Sequence, residues 1–100
     1  MIVYNVTVKV DHDIHDEWLL WMKQEHIPAV LATGYFKDNR MMRLLEMDEH
    51  DGVTYAIQYR AASMEDYLTY QEQRAPALQQ EHTERYRNKF VAFRTVMREV

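Results

Sequence analysis

Residues 13–36 read DIHDEWLLWMKQEHIPAVLATGYF, and the fold turns on how this stretch is understood. It holds both tryptophans, two of the five histidines, one of the two prolines and one of the two glycines. Asp13 is placed to cap a helix, with Asp16 and Glu17 adding negative charge where the amides of a first turn are free. Ile14, Trp18, Trp21, Met22 and Ala29 share one face at helical spacing, and Leu19, Leu20, Ile27, Val30 and Leu31 share the other. A straight helix would be apolar nearly all round, which a small monomer rarely tolerates. Pro28 removes a backbone donor and crowds the preceding turn, so a kink or restart is expected near Ile27, after which the apolar stripe can change phase. Gly34 stands where a left-handed C-terminal cap is wanted. A second subunit against the outer face would also account for the two-sided pattern.

Outward from this helix the chain alternates between strands and helices. Residues 2–10 place Ile2, Tyr4, Val6, Val8 and Val10 on one side and Val3, Asn5, Thr7 and Lys9 on the other, the pattern of a half-buried strand. Tyr35 to about Met47 reads as a second strand, irregular near Asp38 and Asn39. Asp51-Gly52 signals a hairpin. Val53, Tyr55, Ile57 and Tyr59 then alternate with Thr54, Ala56, Gln58 and Arg60 in a third strand. Ser63, with Glu65 and Asp66 in the next turn, opens a helix. Pro76 ends that helix near Arg74 and can begin another segment, along which Leu78, His82 and Tyr86 recur. Residues 89–99 return to a strand. The order β-α-β-β-α-β predicts a single α+β domain over residues 1–100 of the ferredoxin-like kind, a four-stranded antiparallel sheet with helices on one face.

Composition narrows the function classes. A chain of 100 residues is one domain burying about 65% of its extended surface. It has no cysteine, which excludes disulfides and Cys-based zinc sites and suits a reducing cytoplasm. A net charge of −4 argues against nucleic acid, and no run is long and apolar enough for a membrane span or a secretory signal. Glycine is too scarce for a nucleotide loop. The sheet face away from the helices, with Val3, Asn5, Thr7, Thr54, Ala56 and Gln58, is mixed in character. The last strand adds to it either Arg94 with Phe90 or Thr95 with Phe93. Two such faces packed together would close a barrel, so a homodimer is expected.

The pattern W-x-x-W-M-x-x-x-H-I-P-x-V-x-x-T-G, from Trp18 to Gly34, resembles a bacterial family, domain of unknown function 4286. The run L-x-x-E-H-x-x-R-Y-x-x-K-F-V-A-F-R-T, from Leu78 to Thr95, is similar to that family's C-terminal signature. More distantly, the histidine–proline to Thr33-Gly34 segment resembles the dimeric α/β-barrel superfamily. That group includes cofactor-free antibiotic-biosynthesis monooxygenases, muconolactone isomerases and EthD-type proteins. The resemblance implies a ferredoxin-like protomer that dimerises through its sheets, and it implies no particular chemistry.

Among candidate site residues, His26 precedes the Pro28 break and has the range of a proton shuttle. Its structural reading is a histidine bonded to a freed helix carbonyl. Arg94 would sit mid-strand and can receive a carboxylate or enolate; its structural reading is a salt bridge to a glutamate such as Glu46 or to the partner subunit. Asn5, Thr7, Gln58 and His82 are candidate ligand contacts, His82 more simply a packed, hydrogen-bonded side chain. DHDIHD at 11–16 is rich in metal-ligand types without a metal-site spacing, so no metal is expected there. Trp18, Trp21, Tyr4, Tyr55 and Tyr59 read as core. These features lead to a cytoplasmic homodimer that binds or converts a small apolar or carbonyl-bearing molecule without a cofactor, with His26 as acid/base and Arg94 as anion clamp. The competing reading is a non-catalytic protein-interaction module.

Overall fold

The computed structural model describes all residues from Met1 to Val100. Strand β1 (Ile2–Val10) leads through a 3-10 turn (His12–Ile14) into α1 (His15–Trp21), a π-helical turn (Met22–His26) and α2 (Ile27–Ala32). Strands β2 (Asp38–Arg43) and β3 (Val53–Ala61) follow, then α3 (Met64–Gln73), α4 (Ala75–Arg85) and β4 (Phe90–Arg98). The sheet is four-stranded and antiparallel in the order β2-β3-β1-β4. β1 and β3 lie at its centre, and their alternating inward residues Ile2, Tyr4, Val8, Val10, Val53, Tyr55, Ile57, Tyr59 and Ala61 are buried. All helices pack on that face, so the ferredoxin-like expectation is met.

The helix of residues 15–32 is broken earlier than its proline suggests. Pro28 has no amide to offer Gln24 and its ring would press on that carbonyl. The chain answers with a wider turn before the proline, and the Ile27 amide reaches back five residues to the Met22 carbonyl. This resolves the two-sided pattern. In a regular helix, at about 100° per residue, Ile27 would lie opposite Trp18. The π turn rotates the register, so Trp18, Trp21 and Met22 before it and Ile27 and Val30 after it are buried together. Ala29, which shares a face with Trp18 and Trp21 at regular helical spacing, is exposed. Asp13 does not cap α1; it lies in the 3-10 turn, and its carboxylate meets Lys89 Nζ at 2.7 Å.

Gly34 follows the C-cap residue Thr33 with φ +86°, as the left-handed stop requires. Ser63 Oγ accepts from the Asp66 amide at 3.1 Å, and Pro76 occupies the first turn of α4. Strand β2 is shorter than its apolar pairs suggest, and residues 44–52 form an irregular connection in place of a tight hairpin. Gly52 ends this connection. A Cβ there would come within 2.5 Å of the Val10 carbonyl oxygen, so the glycine serves close backbone approach. Gly52→Ala is therefore expected to cost about 1–3 kcal/mol, read as a lower urea midpoint.

Register settles the ambiguity in β4. Arg94 pairs with Val6 and Phe90 with Val10, so both face the helices, while Phe93 and Thr95 join Thr7 and Asn5 on the open face. Phe93 is 64% exposed and Val91 69% exposed there.

Candidate functional site

Two aromatic clusters stand between sheet and helices. In one, Tyr4 is surrounded by Phe36, Tyr59, Tyr67 and Tyr70, the Tyr4 and Tyr67 rings 5.3 Å apart. In the other, His82 of α4 lies against Phe90, Tyr86, Trp21 and His26, with ring centroids 4.3 Å from Phe90 and 5.7 Å from His26. A cavity of about 40 Å³, partly open to solvent, is lined by residues of both clusters. Val6, Met22, Val30, Leu78 and Ala92 are among its apolar walls; Tyr4, His26, Gln79, His82 and Arg94 are among its polar groups. It has room for about three waters.

Each histidine is held by a different device. His26 is the last residue of the π turn, and such turns recur at functional sites because they aim a side chain that a regular helix would turn away. Its Nδ1 is buried and has no hydrogen-bond partner, so that atom is not bonded to a helix carbonyl. Burial lowers its pKa to about 4, with the Arg94 charge adding to the effect. His82 accepts a hydrogen bond from Trp18 Nε1 at 2.9 Å through its Nε2. Indole nitrogen only donates, so His82 carries its proton on Nδ1. Burial, then His26, then Arg94 lower its pKa to about 4 as well. At neutral pH the cavity thus contains two uncharged imidazoles.

Arg94 stands at the mouth, exposed to solvent, and makes no ion pair with Glu46 or any other carboxylate of the chain. Its guanidinium and the Gln79 amide lie beside the Tyr4 hydroxyl. Burial raises the Tyr4 pKa and Arg94 partly opposes that shift.

The structure brings His26, His82 and Arg94 to this cavity. Asn5, Thr7 and Gln58 stand together on the opposite face of the sheet. Asn5 lies across from Gln58, and its Nδ2 donates to Thr7 Oγ1 at 3.0 Å. Gln79 was not singled out in the sequence, although Ala75, Leu78, Gln79 and His82 form one helical stripe that could have pointed to it. At 11–16, His12 bonds the Glu49 carbonyl, His15 bonds Tyr55 Oη at 2.7 Å and Asp13 pairs with Lys89. No three His, Asp or Glu side chains anywhere in the chain are grouped to hold a metal ion.

A four-stranded antiparallel sheet covered by helices on one face, with a cavity between the layers, defines a ferredoxin-like α+β protein. Residues 1–100 match a single family throughout, and the chain belongs to it: Domain of unknown function (DUF4286). An EthD family protein from Bacillus halodurans superposes with a TM-score of 0.71 over 100% of both chains at 11% identity. SnoaB, a cofactor-independent oxygenase from Streptomyces nogalater, gives 0.68 over 98% of this chain and 92% of its own at 12% identity. A dimeric ferredoxin-like protein from an uncultured marine organism gives 0.70 over 100% of this chain and 95% of its own at 10% identity. No curated protein matches the sequence. No helix is long and apolar enough to cross a membrane.

Proposed function

We propose that this protein is a small cytoplasmic homodimer that binds a small apolar, carbonyl-bearing molecule between sheet and helices and converts it without a cofactor. The observation that carries this reading is the mixed cavity, where two neutral imidazoles and one guanidinium converge among apolar walls. Neutral His26 takes a proton from the carbon beside the carbonyl and later returns it. Arg94 holds the oxygen on which charge develops. His82, fixed in one tautomer by Trp18, contacts the ligand. A SnoaB-like fold and a dimeric structural neighbour agree with this reading. In the homodimer the open sheet faces meet, covering Phe93 and Val91, and Asn5, Thr7 and Gln58 line the space between the sheets.

Leu20 and Leu68, more than half exposed on outer helix faces, favour a second reading as a protein-interaction module. Native mass spectrometry of protein from its own source separates the two. The expected species is near twice 12.1 kDa plus an increment lost on denaturation, with the increment absent in His26→Gln and Arg94→Gln. A dimer without an increment would favour the module, and a monomer would overturn the assembly.

A further inference from the structure

We propose that the molecule this cavity takes is a monocarboxylic acid with an apolar body, bound as its anion; this rests on the cavity binding a small molecule at all. Among the residues that line it, Arg94 is the only charged one. Five of the twelve lysines and arginines have a carboxylate partner within the chain, and of the seven that have none only Arg94, on the helix-covered face, lines the cavity. A lone guanidinium beside apolar walls is a standing demand for one anion, and its planar fork matches a carboxylate in two parallel hydrogen bonds.

The neighbours of Arg94 sharpen the choice. The buried Tyr4 hydroxyl and the Gln79 side-chain amide lie together beside the guanidinium, adding neutral donors next to it. The two imidazoles are less exposed than Arg94 and carry no charge at neutral pH, so the site offers one positive charge and no more. A dianion would bring a second negative charge against Val6, Leu78 and Phe90 with nothing to meet it, and a cation would be repelled. A neutral amide of the same shape forfeits the charge-assisted bonds. The carboxylate therefore sits against Arg94, and the apolar body lies along the partly exposed walls Val6, Leu78 and Ala92.

The test is isothermal titration of the full chain with matched pairs: benzoate and benzamide, 1-naphthoate and 1-naphthamide, octanoate and octanamide. At least one carboxylate should bind about ten- to a hundredfold more tightly than its amide, the ratio expected of a charge-assisted contact. In Arg94→Gln that ratio should fall to about one, while Arg94→Lys should keep part of it. Since Arg94 is exposed, circular dichroism of the variants should match the parent. Amides that bind as well as acids would overturn the inference and leave the ligand-binding reading intact. A preference that persists in Arg94→Gln would also overturn it, because the anion would be held elsewhere. No binding by any member of the three pairs would overturn it together with the reading beneath it.

Discussion

Trp18→Ala is expected to lower the unfolding free energy by about 3–5 kcal/mol, a large part of what a domain of this size possesses. Trp18 is fully buried, its ring 5.3 Å from Tyr55 and edge-on to His82. It is the largest side chain to be so enclosed. It belongs to α1, yet its indole N–H reaches His82 on α4, so one residue joins the two helical segments on either side of the cavity. Trp18→Phe separates its two roles. It keeps most of the apolar volume, deletes the donor and should cost about 1–3 kcal/mol for the unpaired Nε2 it leaves behind. The same change should raise the His82 pKa from about 4, because the indole bond is available only while Nε2 is unprotonated. Urea unfolding reads the first effect and the histidine ring signals in a proton NMR titration read the second. An unchanged His82 midpoint in Trp18→Phe would sink the assignment of tautomer and donor.

Acid should unfold this protein in a window set by the same histidines. Both imidazoles titrate near pH 4 when folded and near 6.5 when the chain is open. Above pH 6.5 neither state binds the protons and stability is unaffected. Below it the unfolded chain takes up protons that the folded chain refuses, so stability falls as the pH drops from about 6.5 to about 4. The limiting slope is about 1.4 kcal/mol per pH unit per histidine, and the pair amounts to a loss on the order of 5 kcal/mol by the bottom of the window. The surface carboxylates Asp13, Asp38, Glu49 and Asp51 have their pKa values lowered, chiefly by hydrogen bonds from Lys89, Arg60, Arg43 and Lys9, so they act only at lower pH still. Urea midpoints at fixed protein concentration should therefore be level between pH 8 and 7 and decline through pH 6 and 5 (working values chosen to bracket the ordinary histidine range). A His82→Gln variant should be less stable at neutral pH but show roughly half the decline. Midpoints that stay level down to pH 5 would mean that water reaches both imidazoles.

Some of this arrangement was legible in the residues alone. Alternation in β1 and β3, the Ser63 cap, the Pro76 restart and the Gly34 stop are local matters, each decided within a few residues by backbone geometry or burial of one face. They suffice for the order of elements and for the ferredoxin-like sheet. His26, His82 and Arg94 could be marked as candidates because each is a polar group expected among apolar neighbours. Their meeting could not be read, since it joins residues separated by dozens of positions. The π turn was equally hidden. Pro28 announces a break, but whether the helix kinks at the proline or widens before it depends on which register buries Trp18 and Val30 together.

What the sequence determined by itself was the order of strands and helices, the apolar face of each and the points where they stop, because those follow from dihedral preferences and from periodicity over short spans. Only the tertiary structure decided which side of β4 carries Arg94, that Asn5, Thr7 and Gln58 face away from the two histidines, and that Trp18 holds His82 in one tautomer. A shift of one residue in strand register exchanges the two faces of a sheet, and that register is set by packing against the helices as a whole.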